Sequence, residues 1–185
     1  MSKKIAEGLD GLAMDIKVGN GAFMKTFQQA KNLGVELKKI GSSFDIDISI
    51  TYSNMSQPLG EYAGLKCEIN EAVDCLKGTG PDDVTQLSVD LCANILVQSC
   101  MSTNKSEAKT LLMKNIENGR ALKKFEEMIV AQKGDLNDIY SKKKFAKNLI
   151  KIKSKKTGYI KSINAEKIGW ALVEIGCGKK NNKRY

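Results

Sequence analysis

Two segments with the alternation of a β-strand flank one with the periodicity of an amphipathic helix, and this order constrains the fold more than any other feature. Residues 11–18 and residues 44–52 (FDIDISITY) alternate apolar with polar side chains, as half-buried strands do. Between them, residues 26–40 carry apolar side chains at spacings of three and four, and we expect Thr26 to be the N-cap and Gly41 to end the helix. Strand, helix and strand joined by short links predict a right-handed βαβ unit with a parallel sheet.

Helices are predicted for much of the remaining chain. Residues 2–8 have the pattern of the end of a helix that is closed by Gly8. Residues 148–154 and 158–163 are predicted to form two short strands, which follow a charged link at residues 142–147. The other predicted helices cover residues 66–77, 81–101, 106–117, 121–131 and 165–175. This arrangement indicates the α/β fold class.

The chain has no histidine, and this excludes several mechanisms. A histidine general base, an imidazole metal site and a Ser-His catalytic triad cannot be built from these residues alone. The five cysteines are odd in number and include no CxxC pair, so neither a zinc site nor a disulfide framework is indicated. We expect reduced thiols in a cytoplasmic protein, because no segment is long and apolar enough for a signal peptide or a membrane span.

Positive charge is concentrated near the C-terminal end. The net charge is +9, of which residues 142–185 carry +12 and residues 1–141 carry −3. A basic segment of this kind is one pattern of a nucleic-acid-binding protein. We favour the alternative, a lysine-rich surface in contact with water, because Arg184 is the only arginine in the segment and arginine is the preferred reader of phosphates and base edges.

Several motifs, in order and at the expected distances, carry a resemblance to one family. They are MSKKIAEGLDGLAMDIKVGNGAFM at the start, NMSQPLG followed by YAGLKCEINEAVDCLKGTGP, and TGYI with AEKIGWALVEIGCGKK. Together they cover nearly the whole chain, which resembles the pyrimidine-nucleoside phosphorylases and thymidine phosphorylases. Members of that family transfer a ribosyl or deoxyribosyl group between a pyrimidine base and phosphate.

The resemblance implies a division of the chain into three parts. Residues 1–8 would be the end of an N-terminal helical domain, residues 9–141 part of the central α/β domain, and residues 142–185 the start of a C-terminal α+β domain. It also implies that the phosphate loop and the base-contacting histidine lie upstream of this chain. We therefore expect a central to C-terminal fragment that is inactive alone and that works with an upstream companion chain, in an enzyme that is a homodimer when complete.

Two substrate-binding residues follow from the resemblance, and no residue of the chain is assigned a catalytic role. Lys3 matches the lysine that binds the pyrimidine carbonyl, where an ammonium donor would stabilise the negative charge on the departing base. Phe23, in GNGAFM, would lie at the edge of the base pocket. The alternatives are that Lys3 is an ordinary exposed lysine and that Phe23 is a core residue under the loop. GNGAFM lacks the third glycine of a dinucleotide-binding loop, so it is weak evidence for such a site.

A potassium site is also implied by the resemblance, while no organic cofactor is expected. Its ligands would be the main-chain carbonyls of Leu59 and Tyr62 and the carboxylate of Glu71. A monovalent cation of this kind takes several oxygen ligands of modest charge. The alternative is that Glu71 is an exposed helix residue, because Glu68 and Asp74 lie three positions away on either side.

These observations predict phosphorolysis of thymidine or uridine, in which a pentosyl group passes to phosphate. Two alternatives stay open. The chain could be a non-catalytic remnant or interaction module that keeps the α/β core, or a basic nucleic-acid-binding protein.

Overall fold

The computed structural model describes residues 1–140 and 150–177. Within these ranges it is a mixed α/β structure, as the sequence predicts. The elements are, in chain order, α1 (Ser2–Ala6), β1 (Gly11–Val18), α2 (Phe27–Ser42), β2 (Asp47–Asn54), α3 (Leu65–Leu76), α4 (Asp82–Gln98), α5 (Lys105–Glu117), α6 (Arg120–Ala131), α7 (Leu136–Tyr140) and α8 (Ala165–Leu172), which continues into a π-helical turn (Val173–Cys177). Helix α7 was not expected from the sequence.

The predicted βαβ unit is present, and its two strands are parallel. Strand β1 pairs with β2 in a continuous register that runs from Gly11 opposite Asp47 to Val18 opposite Asn54. Strand β2 begins and ends later than residues 44–52, the predicted range. Because both strands run the same way, their carboxyl ends lie at one edge of the sheet, and the loops that follow them lie side by side.

Helix α2 packs closely on the apolar face of β2. A Cβ atom at Gly34 would overlap the Tyr52 hydroxyl, and one at Gly41 would overlap the Ile48 side chain. The expectation that Gly41 ends the helix is therefore wrong. Gly41 is buried inside α2, which runs to Ser42, because the absence of its side chain permits helix–sheet contact instead of a left-handed turn.

The opposite face of the sheet is polar, and α4 covers it with polar side chains. Asn94, only 3% exposed, donates from Nδ2 to Thr51 Oγ1 at 3.1 Å. Gln98 Nε2 donates to the main-chain carbonyl of Asp47 at 3.0 Å. These bonds give partners to the two amide nitrogens, whereas Asn94 Oδ1, Gln98 Oε1 and Ser49 Oγ are buried with no hydrogen-bond partner among the described residues.

Helices α3 to α6 occupy the predicted parts of the chain, and α7 packs against α3 and α6. Tyr140 Oη donates to Glu126 Oε1 at 2.5 Å, which ties α7 to α6. All five cysteines lie in the described ranges and are free thiols there. Among residues 1–140 and 150–177, no helix combines the length and the apolar character that crossing a bilayer requires.

The two strands predicted near the C-terminal end are wrong where the structure describes them. Residues 150–164 have no regular secondary structure, and most are exposed. A strand needs a neighbour for its N–H and C=O groups, and the described part of the chain offers this segment none. Residues 148–149 and the predicted charged link at residues 142–147 lie outside the described residues.

The N-terminus of α2 carries a capping box that confirms Thr26 as the N-cap. Thr26 Oγ1 accepts from the Gln29 main-chain N–H at 3.3 Å, and Gln29 Oε1 accepts from the Thr26 N–H at 3.1 Å. We expect Thr26→Ala to lower the free energy of unfolding by about 1 kcal/mol, because the Gln29 main-chain N–H loses its partner. Unfolding in urea measures this loss of stability. Thr110→Ala, at an exposed position inside α5, is the matched control. Equal unfolding midpoints for the two variants would contradict this role of Thr26.

Candidate functional site

The carboxyl edge of the two-stranded sheet is where the loops after β1 and β2 meet. In open parallel sheets, ligands bind outside this edge. The loop after β1, residues 19–24, is closed by a hydrogen bond from the Gly19 N–H to the Met24 carbonyl at 3.0 Å. It is joined to the loop after β2 by a second bond, from the Gly21 N–H to the Met55 carbonyl at 2.9 Å. We call residues 19–24 the glycine loop.

Asn20, the second residue of the glycine loop, binds the segment that leads into α8. Its Oδ1 accepts from the Ala165 N–H at 2.9 Å, and its Nδ2 donates to the Ile163 carbonyl at 2.9 Å and to the Ser56 carbonyl at 3.2 Å. The glycine loop therefore holds another part of the chain, a role that the sequence analysis missed. The only signal was an amide side chain between two glycines.

Phe23 is not packed in the core, since 98% of its surface is exposed. The alternative that it is a core residue is therefore wrong. Phe23 lines a cleft of about 570 Å³ between the glycine loop and α8, to which Trp170 also contributes. Trp170 is the chain's single tryptophan and is 63% exposed. Two large rings are thus open to a ligand or to another protein surface at one place.

Lys3 lies on α1 and is exposed. Within the described residues its ammonium group forms no hydrogen bond or ion pair, whereas the neighbouring Lys4 pairs with Glu7 at 3.0 Å. The Lys3 side chain is therefore available to a ligand. No hydrogen bond of the described structure joins Lys3 to the glycine loop, so the two predicted substrate-binding residues lie on separate elements.

Glu71 is buried, with 5% of its surface exposed, so the alternative of an exposed helix residue is wrong. Its position in α3 turns its carboxylate towards the loop that precedes this helix. Glu71 Oε1 accepts from the main-chain N–H groups of Glu61 at 2.7 Å and Tyr62 at 3.2 Å. The buried carboxylate thus binds the main chain of this loop. Glu68 and Asp74, in contrast, are exposed.

Three oxygen atoms are the expected ligands of the potassium ion. Among the described residues, Glu71 Oε2 and the carbonyls of Leu59 and Tyr62 accept no hydrogen bond, which leaves all three able to bind a positive ion. Gly60 lies so close to Oε2 that a Cβ atom there would overlap it. No group of three or more histidine, cysteine or acidic side chains that could hold a metal occurs in the described ranges. Two main-chain carbonyls and one carboxylate are oxygen donors of the kind that a monovalent cation takes.

The sequence of the chain was compared with those of known proteins. No family model matches the chain. A pyrimidine-nucleoside phosphorylase of Staphylococcus epidermidis is 39% identical over 185 residues, which cover 99% of this chain and 43% of the relative. The enzyme of the same name from Staphylococcus aureus is 38% identical over 181 residues, or 97% of this chain and 42% of the relative. That from Staphylococcus haemolyticus is 37% identical over 185 residues.

The chain spans about two fifths of the length of the curated relatives that it matches. The similarity nevertheless extends across almost all of its own residues, including α1, the glycine loop and the Glu71 loop. The family resemblance carried by the motifs is therefore confirmed, since the chain is similar over nearly all of its length to pyrimidine-nucleoside phosphorylases.

Proposed function

We propose that this chain forms part of an enzyme that phosphorolyses pyrimidine nucleosides such as uridine and thymidine. In that reaction phosphate attacks the anomeric carbon, the bond from this carbon to the base nitrogen breaks, and its electron pair leaves with the base. The products are a free pyrimidine and a pentose 1-phosphate. The observation that carries the proposal is the 39% identity over 99% of the chain to a pyrimidine-nucleoside phosphorylase.

Lys3 would stabilise the departing base. Negative charge develops on the pyrimidine ring as the bond to the sugar breaks, and it is shared with the ring's carbonyl oxygens. An ammonium group at hydrogen-bond distance from such an oxygen lowers the energy of the transition state more than that of the bound substrate. The exposed and unpaired ammonium of Lys3 supports this role, as does the exposed ring of Phe23, which can pack on the base.

Residues beyond the length that this chain spans would supply the remaining chemistry. The phosphate loop and the base-contacting histidine belong, on the family pattern, to the part of the relatives that the chain does not match. We extend the proposal to the division at residues 1–8, 9–141 and 142–185, to homodimerisation of the complete enzyme and to a cytoplasmic location. An upstream companion chain is the partner expected for this one.

Potassium would bind at the Leu59 and Tyr62 carbonyls and at the Glu71 carboxylate, where it would supply a fixed positive charge. In the completed enzyme, we expect a higher thermal unfolding midpoint in potassium chloride than in choline chloride of equal ionic strength, since a ligand that binds only the folded state stabilises it. Glu71→Gln should remove this difference, because the amide lacks the carboxylate charge. Exposed Glu68→Gln is the matched control. Equal midpoints in the two salts for the unaltered enzyme would count against the site.

The proposed function is tested by adding the part of a relative that this chain does not span. The chain is assayed for phosphorolysis of uridine and thymidine alone, and after it is joined to the part of the S. epidermidis sequence that it does not span. We expect no turnover by the chain alone and turnover by the joined protein. A joined protein that folds as a dimer and yet releases no base from either nucleoside would refute the proposal.

The same preparations separate the two alternatives. A non-catalytic interaction module would neither bind nor cleave nucleosides in the joined protein. A nucleic-acid-binding protein would bind DNA or RNA with an affinity that falls steeply with salt and that is lost when residues 142–185 are deleted.

A further inference from the structure

A cavity of about 310 Å³ lies between α3, α4, α5 and α6, and we call it the four-helix cavity. Helix α5 packs against α4 and α6, and α6 packs against α3, so these helices surround the space. The residues that each helix contributes are spaced to share one face, as are Leu112, Asn115 and Ile116 of α5. None of the residues assigned to nucleoside or potassium binding lines this cavity, so a ligand there would bind apart from those sites.

The four-helix cavity exists because small side chains lie where the helices converge. Protein interiors are normally packed as densely as organic crystals, so a space of this size remains only where side chains are too small to fill it. Larger apolar side chains, among them Ile116 and Phe125, form other parts of the wall. An apolar ligand in the cavity would restore the packing contacts that this wall lacks. Alanine, serine and cysteine occupy five of the lining positions: Ala72, Cys75, Ser88, Cys92 and Ala121.

The cavity reaches from the protein surface into the core. Ser88 and Cys92 are on its wall and are exposed. Val89 and Cys75 are also on its wall, but only 4% and 8% of their surfaces are exposed. A small molecule can therefore enter beside Ser88 and Cys92 and come to lie against buried apolar atoms. A pocket between helices with this volume and a mainly apolar wall is the usual form of a small-molecule site.

Asn115 gives the wall of the cavity a polar group that has no other partner in the described structure. Its amide can both donate and accept hydrogen bonds, and among the described residues it forms none. The hydroxyl of Thr85, another lining residue, is already paired, because it donates to the Pro81 carbonyl at 3.0 Å. Ser88 lies at the exposed end, where water can bind its hydroxyl. Asn115 is therefore the group that can bind a polar atom of a ligand within the cavity.

We propose that the four-helix cavity binds a small aromatic molecule that carries one hydrogen-bonding group, of the class of the simple phenols. The apolar wall contacts the ring, and the Asn115 amide binds the hydroxyl group. Asn115 is thus the specificity-determining residue of the site, because a polar atom that enters an apolar space needs a hydrogen bond to replace those it made with water. The proposal does not depend on the proposed function, since it uses no residue of the nucleoside site.

Nuclear magnetic resonance of the 185-residue chain locates the ligand, with toluene as the first probe. We expect intermolecular nuclear Overhauser effects from the toluene protons to the methyl groups of Val89, Leu112 and Ile116, which line the cavity. Val130, at an exposed position of α6 outside the cavity, should show none. Binding of toluene with no such effect at the three lining residues would overturn the site, as would the absence of saturable binding.

A variant that fills the cavity tests the same site by calorimetry. Ala121→Leu places three further carbon atoms on its wall and should weaken toluene binding at least tenfold. Because the new side chain occupies empty space, the variant should remain folded. Ala131→Leu makes the same change at an exposed position of the same helix and should leave the affinity unchanged. Equal affinities in the two folded variants would contradict binding in the cavity.

The role of Asn115 is tested with phenol and toluene, which have nearly the same shape and differ by a hydroxyl in place of a methyl group. In Asn115→Leu, the ratio of phenol affinity to toluene affinity should fall at least fivefold, because the hydroxyl loses its partner while the ring keeps its contacts. An unchanged ratio would overturn the assignment of Asn115. These measurements involve no nucleoside, so a negative result in any of them leaves the proposed function intact, and loss of turnover in the joined protein would leave the cavity site standing.

Discussion

Replacing Lys3 with alanine should lower kcat/KM for uridine phosphorolysis by the joined protein about a hundred- to a thousandfold, the usual cost of removing one donor from developing negative charge. The ammonium group would contact the pyrimidine carbonyl as the base departs, so its loss should act mainly on kcat. Steady-state rates of base release measure the effect. Lys3 is exposed, and no hydrogen bond or ion pair of the described structure involves its side chain, so the variant should unfold at the same temperature as the unaltered protein.

Lys4 is the matched control for Lys3. It is the next residue of the same short helix and carries the same charge, but it forms an exposed ion pair with Glu7. Such pairs contribute little, so Lys4→Ala should change kcat/KM less than about twofold. A near-normal rate for Lys3→Ala, or an equal loss for both variants, would contradict a specific contact between Lys3 and the base.

Gly60→Ala should lower the free energy of unfolding by about 3 kcal/mol, from two causes that act together. Gly60 has a φ of +73°, a conformation that strains any residue with a Cβ atom. The new methyl group would also lie 2.7 Å from Glu71 Cδ and 2.8 Å from Val84 Cγ2. Glu71 cannot move aside without giving up its bonds to the Glu61 and Tyr62 N–H groups. Urea unfolding measures the loss.

Gly119→Ala separates the two causes. Gly119 has a nearly identical φ of +75°, but a Cβ atom there would have no atom within 4 Å. It should therefore cost only the backbone strain, about 1 kcal/mol. If Gly60→Ala cost no more than Gly119→Ala, Glu71 would not be held against the loop as described.

The elements that the sequence predicts best are those whose partners are close in the chain. Alternation over residues 11–18 coincides with β1, and Thr26 caps α2 through Gln29, three residues away. Such local hydrogen bonds and periodicities depend only on residues that are close in sequence. The strands expected within residues 150–163 are absent because a strand also needs a partner, and the partner's presence is not a property of the segment itself.

In the candidate site, too, some features could be predicted from the sequence and others depend on the fold. Lys3, Phe23 and Glu71 could be named from motifs, because a motif preserves residue type and spacing. The burial of Glu71 could not be predicted from the sequence. Glu71 and the exposed Glu68 lie on the same helix and have similar neighbours in sequence. Only the loop that folds over Glu71 gives its carboxylate two N–H donors and excludes water.

The sequence by itself determined the βαβ unit, the order of the main helices and the family to which the chain is related. These depend on local periodicity and on the order of motifs. The tertiary structure alone decided that Gly41 lies inside a helix, that Glu71 is buried and that Asn20 binds residues 163–165. Each of these depends on a contact outside the residue's own helix or loop: Gly41 meets Ile48, Glu71 meets the Glu61 and Tyr62 N–H groups, and Asn20 meets Ala165, about 145 positions away. No periodicity or motif records such a contact. The physical reason is that a glycine or an amide acquires its role from what the fold brings against it.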